Sequence, residues 1–176
     1  MSEITLVKPS VAYSEKIWAY RAEFLAQGDN LAGCAGLDEV KSVDEWLANV
    51  ERNNCEKTVV KGLVPATTYL AIRKSDDQLV GMIDVRHRLN AFLLRSGGHI
   101  GYSVRPSERR KGYATEMVRL ALEACRDALG LSKVLITCDK ENIGSAKTIL
   151  ANKGILENEL SESDRITQRY WMSCQN

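Results

Sequence analysis

The stretch SVRPSERRKGYATEMVRLALEACRDALG, residues 103–130, decides how this chain folds. A strand-like segment stops at Pro106, a cationic turn with a single glycine follows, and a helix begins at once. From Ala114 the apolar residues Met117, Val118, Ala121, Leu122, Cys125 and Leu129 recur in steps of three and four, and Gly130 stands where a left-handed residue closes a helix. The first four N–H groups of such a helix have no partner within it, and they lie at the positive end of its dipole. The turn is therefore an anion site suited to phosphate. Arg109, Arg110 and Lys111 add charge, and Gly112 lets a ligand come close to the backbone. The three-glycine dinucleotide fingerprint and the G-x-x-x-x-G-K-[ST] loop are both absent from it.

Downstream, KVLITC (133–138) is a continuous apolar run, the mark of a strand buried on both faces. NIGSAKTILANKG (142–154) reads as a helix capped by Asn142 and followed by Gly154. ILENEL and RITQRYWMSC, parted by SESD, read as a closing hairpin, with Tyr170 and Trp171 as core or dimer-contact residues.

Upstream, ITLVKPS (4–10) is a short strand ended near Pro9, and Ile17, Tyr20, Ala22, Phe24 and Leu25 carry a helical stripe. Residues 28–41 are glycine-rich and aperiodic, a loop able to fold over a ligand. Ser42 and Glu45 stand in capping-box spacing before a second short helix. From Thr67 the period becomes two: a hairpin turns at Ser75–Gln78, and its second strand puts Met82, Asp84, Arg86 and Arg88 on one face. NAFLLRSGG (90–98) is a loop with exposed apolar residues, leading into HIGYSVRP (99–106), another strand. The order β-α-α-β-β-β-α-β-α-β-β predicts an α+β fold: a mixed, mostly antiparallel sheet of about seven strands with helices on both faces. One domain over residues 1–176 accounts for the length.

Composition narrows the function classes. Twenty-four Lys and Arg against twenty-three Asp and Glu leave a net charge of +1, which gives no reason to expect nucleic acid or an anionic membrane as partner. The basic RRK run also lacks interleaved aromatics. The N-terminus has no apolar signal core and no run is long enough to span a membrane, so a soluble, cytoplasmic protein is expected. Five scattered cysteines without C-x-x-C spacing argue against a disulfide framework or a zinc site, and two lone histidines add no metal ligand set.

Arg109-Arg110-Lys111-Gly112-Tyr113-Ala114 resembles the [Q/R]-x-x-G-x-[G/A] signature of the GNAT superfamily of N-acetyltransferases. The strand before it, the helix and buried strand after it, and DKENIGSAK, similar to the family's N-x-x-[AS] segment, extend the resemblance over nearly the whole chain. The likeness is to bacterial acetyltransferases of unassigned substrate. It implies acetyl-coenzyme A (acetyl-CoA) as co-substrate, its pyrophosphate cradled by main-chain N–H groups from Arg109 through Thr115, with Tyr113 packed along the coenzyme. It also implies a splayed pair of parallel strands with the pantetheine arm between them, bonded near Val104 and Arg105, and contacts to the coenzyme from Asn142 and Ser145. The activity implied is acetyl transfer to a primary amine of a small molecule or peptide by direct attack.

Such transfer needs a neutral amine, a polarised thioester carbonyl and a proton for the departing thiolate. The N–H of Val104 is the candidate for the oxyanion. The family's tyrosine acid falls here on Ile149 and its strand glutamate on Thr137, so neither carries over. Asp84 and His99 are the candidate bases and Tyr102 the candidate acid, with an ion pair to Arg86 or Arg88 as the plain alternative for Asp84. Absence of the family's acid and base also leaves open a silent acyl-CoA-binding module. The apolar NAFLL segment serves equally as a homodimer contact or as an acceptor-side wall.

Overall fold

The computed structural model describes residues 2–175. In chain order the elements are β1 Ile4–Val7, α1 Ser14–Ala26, α2 Val43–Asn53, β2 Ala66–Arg73, β3 Gln78–Arg86, β4 Ile100–Val104, α3 Tyr113–Leu129, β5 Lys133–Asp139, α4 Ile143–Ala151, β6 Ile155–Glu162 and β7 Arg165–Ser173. This is the predicted α+β order. The strands form two antiparallel sheets, β1-β2-β3-β4 and β5-β7-β6.

The sheets meet at one point and then part. His99 donates its N–H to the Leu135 carbonyl at 2.7 Å, and the Leu135 N–H returns a bond to Nδ1 of the His99 ring at 2.9 Å. Beyond this joint both strands run the same way, because Tyr102 in β4 reaches Ser145 at the start of α4, the helix that follows β5. The edge of β4 that faces β5 is consequently open.

Each face of the four-stranded sheet has its own core. Ile17, Tyr20 and Phe24 of α1 and Trp46 of α2 pack with Leu70, Ile72, Leu79 and Met82 on one side. Met117, Val118, Ala121 and Cys125 of α3 pack with Ala71, Ile83 and Val85 on the other. Leu25, one residue past the buried stripe of α1, is 48% exposed. Ser42 caps α2 by accepting the Glu45 N–H, while the Glu45 carboxylate reaches back to the Lys41 N–H.

Two local features set the geometry near the open edge. Ile72 pairs with Leu79 but Ala71 with Gly81, so Val80 is an extra residue and β3 bulges there. Gly33 packs its Cα against β4, where a Cβ would stand 2.2 Å from the Gly101 carbonyl oxygen, so the 28–41 loop lies flat on the sheet.

Candidate active site

The phase of the β3–β4 ladder tells which β4 groups are free. Arg86 N–H bonds the His99 carbonyl and Arg105 N–H bonds the Val80 carbonyl, so residues 101, 103 and 105 turn their main-chain groups to β3. Tyr102 and Val104 therefore turn theirs to the gap. The Val104 carbonyl accepts from Arg109 Nε at 3.2 Å, which leaves its N–H as the open group. Arg105, expected to bond a coenzyme through its main chain, has no free donor there, and its side chain pairs with Glu23 at 2.5 Å.

At the start of α3, Arg110 and Gly112 both take positive φ, 65° and 86°. That pair of left-handed residues turns successive N–H groups toward one concavity. A Cβ at Gly112 would meet nothing within 4 Å, so the space over the turn is open. Among the described residues the amides of Arg110, Lys111 and Gly112 find no backbone acceptor. The N–H groups of Tyr113, Ala114 and Thr115 are first-turn donors. A diphosphate fits this turn. The Tyr113 ring is another matter: it is 6% exposed, buried among α3 core residues with its hydroxyl on Arg73, and so does not lie along a coenzyme.

Carboxylates already sit on two of the three cations. Asp29 Oδ2 is 2.7 Å from Arg109 Nη2, and Glu108 Oε2 is 2.8 Å from Lys111 Nζ and 2.6 Å from Arg73 Nη1. Arg110 makes no ion pair among the described residues. An incoming diphosphate must compete for Arg109. Asp29→Asn is therefore expected to tighten coenzyme binding severalfold, read by titration calorimetry, and unchanged or weaker affinity would show that Arg109 never leaves Asp29.

Across the gap, Asn142 caps α4 by accepting the Ser145 N–H at 3.0 Å. The Ser145 hydroxyl lies 2.8 Å from the Tyr102 hydroxyl. Burial pushes the Tyr102 phenol up to about 12, so it keeps its proton at neutral pH. Ile149, where the resemblance would place a tyrosine, is fully buried. The phenol of Tyr102 thus reaches the first turn of that same helix from the opposite strand.

Asp84 lies on the α1/α2 face, 7% exposed. Its Oδ1 accepts the Thr68 hydroxyl at 2.8 Å, and Oδ2 is 3.9 Å from Arg86 Nε, too far for a hydrogen bond. Burial raises its carboxyl above the usual range against the opposing pull of Arg86 and Thr68. The expected ion pair of Asp84 with Arg86 is thus present at long range, while Arg86 donates to the Gly97 and Gly98 carbonyls and Arg88 pairs with Glu56. Asp84 and Arg86 both line a cavity of 730 Å³ walled by α2, the 28–41 loop and the 90–98 segment.

His99 does not suit the role of base. Burial, with Arg86 nearby, lowers its pKa to about 4, and the Nδ1 lone pair is held by the Leu135 N–H. The ring fastens the two sheets. Thr68 and Asp29, which hold Asp84 and Arg109, escaped the sequence reading, whereas Arg86 stands in it as an ion-pair partner for Asp84. The capping potential of Asn142 did show in the sequence, as did the turn.

The profile described as acetyltransferase (GNAT) domain matches residues 37–153. No curated protein matches the chain. Among solved structures, a GNAT-family acetyltransferase from Bacillus anthracis superposes with a TM-score of 0.68 at 17% identity, covering 99% of this chain and 97% of that one. The microcin C7 self-immunity acetyltransferase, solved with acetyl-CoA and AMP, gives 0.70 at 17% identity, covering 98% and 93%. A dodecameric spermidine N-acetyltransferase from Vibrio cholerae gives 0.67 at 15% identity, covering 99% and 95%. The matched profile defines the class as acyltransferase. The chain belongs to the GNAT acetyltransferase family, and its reaction class is N-acetyl transfer.

Proposed function

We propose that the protein moves an acetyl group from acetyl-CoA directly to a primary amine of a small molecule or peptide. The observation that carries this is the open edge of β4, where the free Val104 N–H lies in line with the anion-holding turn of α3. Bound acetyl-CoA supplies an activated acyl thioester. Arg110, the amides through Thr115 and, once released by Asp29, Arg109 hold its diphosphate. Asn142 and Ser145 flank the arm from α4, and the Val104 N–H meets the carbonyl oxygen as charge grows on it. Asp84, with its raised carboxyl, takes the proton of the ammonium, directly or through a water, so that the nitrogen carries a lone pair. The C–N bond forms as the C–S bond breaks, the Tyr102 phenol gives the thiolate its proton, and the second proton shed by the acylated nitrogen passes through solvent to restore the phenol.

Thermal unfolding with acetyl-CoA, ATP and NAD, coupled to free-thiol release against amines, tests the proposal. Ligand at a hundredfold over Kd stabilises the native state by about 2.7 kcal/mol, a rise of several degrees for a chain of this size. A shift with acetyl-CoA alone and thiol release with an amine support it. A shift with no thiol release means the silent acyl-CoA-binding module instead. Tyr102→Phe is expected to lower kcat about tenfold or more while coenzyme affinity stays within about threefold. An unchanged kcat would remove Tyr102 from the reaction.

A further inference from the structure

We infer that the acceptor is an amine with an apolar body, an alkyl- or arylalkylamine. This rests on the acetyltransferase reading and deepens it. The 730 Å³ cavity over β2 and β3 is lined by Val50, Val60, Leu63, Phe92 and Leu93, among others, with the buried Asp84 and Thr68 from the sheet. Its size falls in the range of about 300–1,000 Å³ usual for small-ligand sites.

Of the charges lining it, one carboxylate is buried. Glu45 and Arg52 are exposed, bonded through one atom each to the Lys41 N–H and Asn49 Oδ1, and Arg86 donates to two carbonyls of the 90–98 segment beside its 3.9 Å ion pair with Asp84. Glu39 is exposed at the rim, in contact with water. Asp84 alone is buried with an oxygen that no donor reaches within hydrogen-bond distance. One buried carboxylate binds one ammonium at the inner end of the cavity.

The mouth is apolar where solvent would ordinarily select polar residues. Val60 is 42% exposed, Leu63 55% and Phe92 67%, three of the large exposed apolar side chains gathered round one opening. A hydrocarbon body lying across them removes that surface from water. The wall bearing Phe92 and Leu93 is rigid: Arg169 binds the Leu94 carbonyl through Nε and Nη2, and the Thr137 hydroxyl binds the Ser96 carbonyl.

Acetyl-CoA-dependent thiol release with ethylamine, butylamine, hexylamine, 2-phenylethylamine, spermidine and an alanine peptide tests the assignment. kcat/KM is expected to rise roughly fourfold for each methylene buried, placing hexylamine and 2-phenylethylamine more than tenfold above ethylamine, with spermidine and the peptide below them. Phe92→Ser, at an exposed position that folding does not depend on, is expected to compress the hexylamine-to-ethylamine ratio severalfold. A flat series, a ratio unmoved by Phe92→Ser, spermidine or the peptide at the top, or no turnover of any amine despite a thermal shift with acetyl-CoA overturns the acceptor class. Failure of acetyl-CoA to shift unfolding overturns the acetyltransferase reading itself, so the two failures are told apart.

Discussion

Gly112→Asp is expected to lower acetyl-CoA affinity more than about a hundredfold. At roughly 5 Å and an effective dielectric of ~20, a carboxylate repels each phosphate charge by about 3 kcal/mol, enough for such a loss. The carboxylate would stand at the mouth of the turn, because the space above Gly112 is open. Sterics and charge are separable. Gly112→Ala has room for its Cβ and suffers only from the φ of 86°, a strain of about 1–2 kcal/mol that falls on folding more than on binding. The pair is measured by calorimetric titration with coenzyme A. Equal affinities for the two variants would mean that no phosphate approaches this turn.

Asp84→Asn is expected to yield a protein that is more stable and nearly inactive. The raised carboxyl pKa means that the folded state resists ionising this group, so its contribution to stability is present below the unfolded value near ~3.9 and is lost as pH rises through the folded value. At neutral pH the buried carboxylate destabilises, and the neutral amide keeps the Thr68 hydrogen bond without that cost. Tm at pH 7 should rise, with the gain over wild type vanishing below about pH 4. Loss of the proton acceptor should cut kcat/KM about a hundredfold or more, while coenzyme affinity holds because Asp84 lies on the α1/α2 face. Wild-type activity should fall as pH drops through the raised Asp84 value, and this limb should be missing in the variant. A variant with full activity and an unchanged pH profile would exclude Asp84 from the reaction.

What the sequence made legible is local. The α3 stripe, its Gly130 cap, the Asn142 cap and the phosphate turn each lie within a few residues, where periodicity and capping chemistry act. What it hid depends on pairing between distant segments. Counting back from the Ser75–Gln78 turn pairs Arg73 with Gln78, and continued without a break it would put Thr67 opposite Asp84. The bulge at Val80 moves the register by one residue and brings Thr68 there instead, so the hydroxyl that holds the catalytic candidate was invisible to alternation. His99 reads as a base by its ordinary pKa, and only the approach of Leu135, thirty-six residues on, shows it as a fastener. Tyr113 sits inside the signature but faces the core because it is the first residue of α3.

The ion pair between Asp29 and Arg109 has a thermodynamic corollary. Asp29 opens the loop that goes on through Gly33, packed on β4, to Ala35, Gly36 and Val40 in the wall of the 730 Å³ cavity proposed to take the amine. A ligand that draws Arg109 away from Asp29 changes the restraint on that loop, and so changes the free energy of filling the cavity. Linkage then requires the amine to alter coenzyme affinity by the same factor as the coenzyme alters amine affinity. On the proposed assignment of the two half-sites, the 28–41 loop is the segment through which they would share one binding polynomial.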